Sequence, residues 1–130
     1  GTQSQAPPRA GLRLMEPIEI NAGGWYLRAL RADERVDDRP ALADGGITDP
    51  DYVSQRSAQW HENSVYSWAV CQPNTGELLA EVVLTPLDST ALLTGWARDG
   101  HTEALTTAAD AVTRFAEGAL GLVVVEGQTN

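Results

Sequence analysis

The chain has 130 residues, 42% of them hydrophobic, and carries 18 acidic against 9 basic side chains for a formal net charge of −9. This length and composition predict one folded domain and exclude a disordered chain. The basic residues are all arginine, and the acidic balance argues against a nucleic-acid partner because phosphate backbones would be repelled. No apolar run has the roughly 18 residues that a membrane-spanning helix needs.

The single cysteine and the polar residues before Met15 indicate the cellular compartment that we expect. Cys71 is the single cysteine, so no intrachain disulfide can form, and we expect a cytoplasmic protein with an inert, buried thiol. The polar stretch before Met15 does not have the form of a secretory signal. We therefore interpret residues 1–14 as a flexible leader or tag remnant and residues 15–130 as a single domain. No metal-ligand spacing is visible.

The first half of the chain predicts a strand pair followed by helices. Pro40 suits a first helical position, and Thr48-Asp49-Pro50 is a helix-start signal with Trp60 placed to anchor the helix to the core. The predicted elements are a bent strand or short hairpin at Ile18–Ile20 and Trp25–Leu30, two short helical pieces within residues 31–46, and a helix from Thr48 to about Asn63.

The second half predicts a three-stranded meander, a long helix and a last strand. Pro86 is expected to end the second strand of the meander. The apolar stripe of the helix recurs at the spacing of one helical face, and the β-branched run after it is typical of a buried, possibly parallel strand. The predicted elements are strands at Val65–Cys71, Glu77–Leu84 and Ala91–Trp96, a helix at Thr102–Ala119 and a strand at Leu122–Glu126.

The stretch from Ala91 to Ala119 is the most informative part of the sequence. A strand ends in Gly95-Trp96, a polar turn follows, and a long helix opens with Thr102-Glu103-Ala104-Leu105. This order resembles the GNAT acetyltransferases, within them the branch that acetylates the amino ends of ribosomal proteins, where a strand commonly ends in Gly-Tyr-Trp before a glycine-rich loop and a Thr-Glu-Ala-Leu helix. Further segments that fit this branch are Trp25–Leu30, Tyr66–Val70, Thr75–Leu79, Phe115–Glu117, Leu120–Leu122 and Asn130.

The resemblance implies an α/β (α+β) domain with a GNAT-like mixed sheet: a β-meander, a long helix and a further strand, with helices packed on the sheet. It also implies acetyl-CoA as cofactor, its pyrophosphate on backbone N–H groups at a helix amino end. The residues that would line the cofactor site are Leu93, Thr94, Gly95, Trp96, Arg98, Gly100 and Thr102. Candidate bases for the incoming amine are Glu81 and His101, with a solvent-facing strand residue and a surface-loop histidine as the alternatives.

Two features depart from the family pattern. Only Ala97–His101 stands between Trp96 and Thr102, where the family has several more residues and a second glycine, and Asp99 places a negative charge where the pyrophosphate would lie. The family also continues after its fifth strand with a helix and two strands, whereas this chain stops at Asn130. The sequence therefore predicts a degenerate cofactor loop and a missing carboxy-terminal part.

Three functions stay open on this basis. The favoured one is a non-catalytic binding or assembly module without a cofactor, its groove filled by Trp68 or Trp96. The second is an active acetyl-CoA-dependent N-acetyltransferase for an amine or a protein amino terminus, and the third is an unrelated α/β domain. The expected partners are a second copy paired through the Leu122–Glu126 edge, or another protein on the apolar Tyr66–Val70 strand.

Overall fold

The computed structural model describes residues 17–129, which fold into one six-stranded sheet with helices on both faces. The strands follow one another across the sheet in chain order, and neighbouring strands are antiparallel except for the parallel pair β5 and β6. The elements are β1 Ile20–Ala22, β2 Trp25–Arg28, α1 Arg39–Asp44, α2 Tyr52–Glu62, β3 Tyr66–Cys71, β4 Leu78–Leu87, β5 Thr90–Ala97, α3 Thr102–Ala119 and β6 Val123–Thr129.

The larger core lies between the sheet and α3. The apolar stripe of this helix, centred on Leu105, Ala108 and Val112, packs on alternate residues of the central strands. Trp60 at the end of α2 joins this core through ring contacts with Tyr66 and Trp68. The small alanine side chains on this stripe let the helix approach the sheet closely. The buried residues of α3 run from Ala104 to Ala116.

A second core lies on the opposite face, beneath α1 and α2. Leu42 of α1 packs with Ala69, Cys71 and Leu78, and the partly buried Trp96 closes this cluster. The two faces of the sheet therefore carry different side chains of the same strands. Residues at odd positions of the middle of β4, including Glu81, face α1 and α2 rather than α3.

Most predicted elements are confirmed, including α3 at its predicted bounds and the hairpin of β1 and β2. The first helical piece predicted after Arg31 is wrong. Asp33 accepts hydrogen bonds from the backbone N–H groups of Arg35 and Val36, and an isolated antiparallel bridge joins Ala32 to Asp37. An aspartate side chain that takes its neighbours' N–H groups competes with helix formation.

The prediction that Pro86 ends its strand is also wrong, because β4 continues to Leu87. The pairing of β4 with β3 stops at Leu84, so beyond this point β4 has a neighbour on one side only. A proline lacks the N–H donor, and it is tolerated where a strand is locally at an edge. The longer strand extends the β4–β5 hairpin to the pair formed by Leu87 and Thr90.

The last strand is parallel to β5, as predicted, but the expectation of a buried strand is wrong. Val124 packs on the α3-side core, whereas Val123 and Val125 are 61% and 51% exposed. The cause is that α3 covers one face of β6 and β5 pairs with one of its edges. Exposed apolar side chains on an unpaired edge favour association.

Self-association through β6 stays a prediction. The ladder bond from the Val123 N–H to Ser89 directs alternate amide groups, those of Val124 and Glu126, away from β5. A two-fold pairing centred on Val124 would place Val123 opposite Val125 of a second copy. Light scattering at micromolar protein should then report twice the monomer mass, and Val124→Pro should restore the monomer. A strict monomer for the unsubstituted chain would contradict this prediction.

Two further expectations concern the Tyr66–Val70 strand and the ends of the chain. The Tyr66–Val70 strand, considered as a protein interface, is fully covered within the domain. The leader predicted at residues 1–14, like Asn130, lies outside the described range. Within residues 17–129, no helix is both long and apolar enough to cross a membrane, and no cluster of three metal-ligand side chains is present.

Candidate functional site

A buried carboxylate marks the site, on the sheet face that carries α1 and α2. The register of the β4–β5 hairpin sets Glu81 beside Trp96, in the middle of the sheet. The side chain of Glu81 is 0% exposed, so the alternative of a solvent-facing strand residue is wrong. An ionisable group is rarely buried so completely without partners, because its desolvation is costly.

Two side chains donate hydrogen bonds to the Glu81 carboxylate. The Tyr52 hydroxyl lies 2.8 Å from Oε1 and 2.9 Å from Oε2, and the indole Nε1–H of Trp96 donates to Oε1 over 2.8 Å. Burial raises the pKa of Glu81 above its ordinary value, and the two donors oppose this rise. The carboxylate is thus held in one place and shielded from solvent.

Arg56 completes the polar cluster from one turn further along α2. Its guanidinium lies over the Tyr52 ring, 4.8 Å from the ring centre, and donates to the Tyr52 hydroxyl over 2.9 Å. The Arg56 Nε is 3.7 Å from Oε2 of Glu81, which makes an ion pair but exceeds hydrogen-bond range. Burial, followed by the negative charge of Glu81, raises the pKa of Tyr52 to about 12.

These groups line an open groove of 270 Å³. The charged side chains of its lining are Glu81 and Arg56, and Ile47 and Val83 add apolar walls. The groove reaches β5 at Thr94 and Gly95. Its full lining is Gly45, Ile47, Tyr52, Arg56, Glu81, Val83, Thr94, Gly95 and Trp96.

Because Gly45 has no side chain, it leaves space for the Trp96 indole that donates to Glu81. The backbone φ of Gly45 is −88°, which any residue adopts, but a Cβ there would lie 2.5–2.7 Å from three Trp96 ring atoms. We expect Gly45→Ala to displace the indole, break its hydrogen bond to Glu81 and lower the free energy of unfolding by about 1–3 kcal/mol. Near-ultraviolet circular dichroism and urea denaturation measure both effects.

The matched control for this substitution is Gly24→Ala. A Cβ at Gly24 would meet no atom within 4 Å, and its backbone φ is not in the left-handed region. This control should keep the tryptophan spectrum and shift stability by less than about 0.5 kcal/mol. Equal effects of the two substitutions would show that the contact between Gly45 and Trp96 does not position the indole.

A second groove, of 230 Å³, lies on the other face between β5, α3 and β6. This is where the resemblance places the cofactor. Its lining holds two carboxylates, Asp110 and Glu126, and no basic side chain. The remaining lining residues are Leu93, Thr94, Thr102, Leu105, Thr106 and Ala109.

Arg98 is turned away from this second groove. Its guanidinium donates to Asp44 over 2.6 Å and to Glu77 over 2.8 Å, so it joins α1 and the β3–β4 turn. These two bonds raise the pKa of Arg98, the bond to Glu77 having the larger effect. The guanidinium therefore already has two anionic partners.

The connection between β5 and α3 is short. Gly100 takes a left-handed conformation with φ +83°, and α3 begins two residues later without a side-chain cap on its first N–H groups. Exposed Asp99 and Glu103 stand on either side of this helix start. Negative charges beside free N–H groups oppose the binding of a further anion there.

The parallel ladder of β5 and β6 runs regularly up to Leu93 opposite Glu126 and is irregular from there to Gly95. A Cβ at Gly127 would lie 2.8 Å from Thr94 Cγ2, and one at Gly95 would lie 2.7 Å from the Glu81 carbonyl oxygen. The Gly127 contact lies between β5 and β6, where the strands would have to separate, and the Gly95 contact lies between β5 and β4.

The structure divides the residues predicted for the site among three places, namely the second groove, the Glu81 groove and a cavity near Asp44. Leu93, Thr94 and Thr102 meet at the second groove, whereas Gly95 lines the Glu81 groove, which Thr94 also reaches. Trp96 belongs instead with Glu81, and Trp68 lies in the α3-side core rather than in a groove. Arg98 and His101 line a separate 490 Å³ cavity near Asp44, and Gly100 is open to solvent.

Sequence reasoning missed Tyr52 and Arg56 as site residues. Both lie at helical spacing with Trp60, and this spacing predicted only that they belong to one helix. A signal was present in their i, i+4 separation, which brings a phenol and a guanidinium together on one face of α2. The sequence did not indicate that this helix face contacts Glu81 of β4.

Comparison with known proteins identifies the fold. No family model matches the chain, and no curated protein is significantly similar to it in sequence. A solved structure assigned as a ribosomal-protein-serine acetyltransferase from Vibrio cholerae superposes with a TM-score of 0.67 at 17% identity, covering 81% of this chain and 70% of that one.

Two further solved structures agree. An acetyltransferase from Agrobacterium tumefaciens has a TM-score of 0.59 at 20% identity, covering 81% of this chain and 70% of its own. One assigned as an acetyltransferase from Sphaerobacter thermophilus has a TM-score of 0.54 at 14% identity, covering 82% and 67%. The chain therefore has the GNAT acetyltransferase fold, which confirms the predicted fold class and excludes an unrelated α/β architecture.

Proposed function

We propose that this domain uses the acetyltransferase fold as a non-catalytic binding module, with the groove around Glu81 as its ligand site. The observation that carries the proposal is the charge of the two grooves. The groove at Glu81 has a buried carboxylate and polar partners in place, whereas the one between β5, α3 and β6 carries Asp110 and Glu126 without a basic side chain.

The residues present do not fit acetyl-CoA. A pyrophosphate needs N–H groups at a helix start and benefits from nearby cations. Here Arg98 is bound to Asp44 and Glu77, away from the groove between β5, α3 and β6. Asp110 and Glu126 would repel the anion in addition, so we expect weak binding of acetyl-CoA at best.

The ligand that suits the Glu81 groove is an amine. A buried carboxylate attracts an ammonium group, because few water molecules screen its charge, and the ammonium would replace Arg56 as the cation that pairs with Glu81. The Glu81 side chain is 0% exposed in this structure, so an amine reaches Oε2 only if Arg56, which lies 3.7 Å away, moves aside. The apolar walls at Ile47 and Val83 would contact the carbon skeleton of the ligand.

An active N-acetyltransferase is the second candidate, and a specific observation favours it. Glu81 is buried, its pKa is raised, and it borders β5, one of the two strands between which the resemblance places the thioester of the cofactor. A carboxylate with these properties suits a general base for an amine. Under this alternative Glu81 would be a catalytic residue.

A thiol-release assay with the whole chain, acetyl-CoA and a panel of primary amines separates the two candidates. Our proposal predicts thiol release no faster than in the absence of protein. Protein-dependent release that is lost in Glu81→Gln but kept in Glu77→Gln would establish the enzyme and overturn the proposal. Glu77 is the matched control because its carboxylate is 57% exposed and it lies directly before β4, the strand that carries Glu81.

A further inference from the structure

Two buried carboxylates of the sheet and its loops each face an arginine, and the two pairs are built differently. Arg28 donates two hydrogen bonds to Asp38, over 2.8 and 2.9 Å, and a third to the Gly76 carbonyl oxygen. Arg56 donates no hydrogen bond to Glu81, and this ion pair spans 3.7 Å from Nε to Oε2. Because bidentate hydrogen bonds give such pairs their strength, the first pair is a fixed contact and the second is a loose one.

The hydrogen bonds that hold Arg56 come from its own helix. One terminal nitrogen donates to Gln59 over 3.0 Å and the other to the Tyr52 hydroxyl over 2.9 Å, while the guanidinium lies over the Tyr52 ring. Both acceptors belong to α2. The guanidinium can therefore leave Glu81 by rotation about its side-chain bonds, without breaking a hydrogen bond between α2 and the sheet.

The closed position of Arg56 leaves one donor unsatisfied. Its Nε–H is buried, and no residue within the described range accepts a hydrogen bond from it. A buried donor without an acceptor costs free energy, and the same group is hydrated once it reaches solvent. The side chain is already 20% exposed, so the guanidinium lies close to solvent. The cost of the unsatisfied donor therefore favours outward rotation of Arg56.

The other partners of Glu81 keep its carboxylate in place when Arg56 leaves. Oε1 accepts from the Tyr52 hydroxyl and the Trp96 indole, both over 2.8 Å, and Oε2 accepts from Tyr52 over 2.9 Å. Oε2 is also the atom that faces Arg56. Both charged side chains line the 270 Å³ groove, so outward movement of Arg56 uncovers Oε2 towards this groove.

We infer that Arg56 is the gate of the Glu81 groove: its guanidinium takes the place of a ligand's ammonium in the closed state, and the groove opens when this side chain rotates towards solvent. The inference rests on the proposed amine site and adds how that site is regulated. Arg56 and an amine compete for one carboxylate, so the apparent affinity is reduced by the fraction of molecules in which the gate is closed. Removing Arg56 therefore strengthens amine binding, whereas removing a residue that holds the ligand weakens it.

The gate has a signature in the free protein. Nitrogen-15 relaxation of the arginine Nε–H groups, measured on the isotope-labelled whole chain, compares Arg56 with Arg28. We expect Arg28 to have an order parameter near that of rigid backbone, about 0.85, and Arg56 to fall below about 0.6 or to show microsecond-to-millisecond exchange in relaxation dispersion. An Arg56 as rigid as Arg28 on both timescales would overturn the gate and leave the proposed amine site standing.

Calorimetric titration with n-propylamine tests the competition. Arg56→Met removes the guanidinium and keeps a long side chain, and pH 8 keeps the amine protonated. We expect this variant to bind n-propylamine at least about tenfold more tightly than the unsubstituted chain. Arg114→Met, an exposed change on α3, removes the same charge elsewhere and should bind like the unsubstituted chain.

The outcomes separate the gate from the site. Binding by the unsubstituted chain that Arg56→Met leaves equal or weakens would overturn the gate while the amine site stands. No heat from any of the three chains at millimolar n-propylamine would overturn the amine site and the gate with it. Far-ultraviolet circular dichroism checks that Arg56→Met is folded, and if it is not, the relaxation measurement on the unsubstituted chain decides.

Discussion

Replacing Asp38 by alanine should lower the free energy of unfolding by about 3–5 kcal/mol, the largest single effect on stability that we expect. Asp38 and Arg28 form a two-pronged ion pair at 2.8 and 2.9 Å, with side chains only 3% and 7% exposed. Asp38 also accepts the Arg31 backbone N–H over 2.7 Å. Its removal leaves a buried guanidinium without a counter-charge and frees the loop after β2. Urea denaturation measures the loss.

The adjacent residue supplies the control. Asp37 pairs with Arg39 over 2.8 Å at the surface, where both side chains are well exposed. Exposed pairs contribute about 0–1 kcal/mol, so Asp37→Ala should have a small effect. If Asp38→Ala costs no more than Asp37→Ala, burial of the Arg28–Asp38 pair is not what fixes the loop between β2 and α1.

Replacing Glu81 by glutamine should weaken binding of a small primary amine by about 10- to 100-fold, since hydrogen bonds to a charged group are worth about 1.5–3 kcal/mol. Glutamine keeps the shape of the side chain and an acceptor for the Trp96 indole but loses the charge. Calorimetric titration at pH 7 measures the change. Unaltered affinity would exclude Glu81 as the ligand's anionic partner.

The same substitution predicts how stability depends on pH. Burial raises the pKa of Glu81 above its ordinary value of 4.5, so the folded state holds this proton more tightly than the unfolded state. The stabilising contribution of such a group is fully present below the unfolded pKa and is lost as pH rises through the folded pKa. Relative to Glu81→Gln, the unsubstituted protein should therefore lose stability as pH rises above about 4.5.

The control for the pH effect is Glu77→Gln, because the exposed Glu77 carboxylate lies outside the buried cluster. The groups facing Glu81 are Tyr52 and Arg56 of α2 and Trp96 of β5, with the charge of Asp38 further away. A stability difference between Glu81→Gln and the unsubstituted protein that stays constant from pH 4 to pH 8 would contradict the raised pKa of Glu81.

Local sequence patterns predicted much of the fold. The apolar stripe of α3 and the strand–turn–strand signals around Gly76 depend on neighbouring residues, and they are present as expected. The errors at Pro86 and at Arg31–Asp38 have a common cause. Whether a proline ends a strand, or an aspartate run forms a helix, depends on partners distant in sequence, namely the extent of β3 and the position of Arg28.

The site was less accessible to sequence reasoning for a related physical reason. Glu81 was named as a candidate base, but its burial depends on α2 and Trp96 closing over the strand, and these are 29 and 15 residues away in sequence. The direction of Arg98 depends on Asp44, 54 residues away. Side-chain pairs at such separations are decided by tertiary packing, which periodicity and turn signals do not report.

The central claim is that the Glu81 groove binds a ligand while the groove at α3 no longer holds acetyl-CoA. Amide chemical-shift mapping of the isotope-labelled whole chain, titrated with acetyl-CoA to millimolar concentration, tests it most directly. The account predicts that the signals of Thr102–Leu105 and Glu126 stay in place. Shifts of these signals that saturate at micromolar acetyl-CoA would contradict it and would restore the acetyltransferase as the function of this fold.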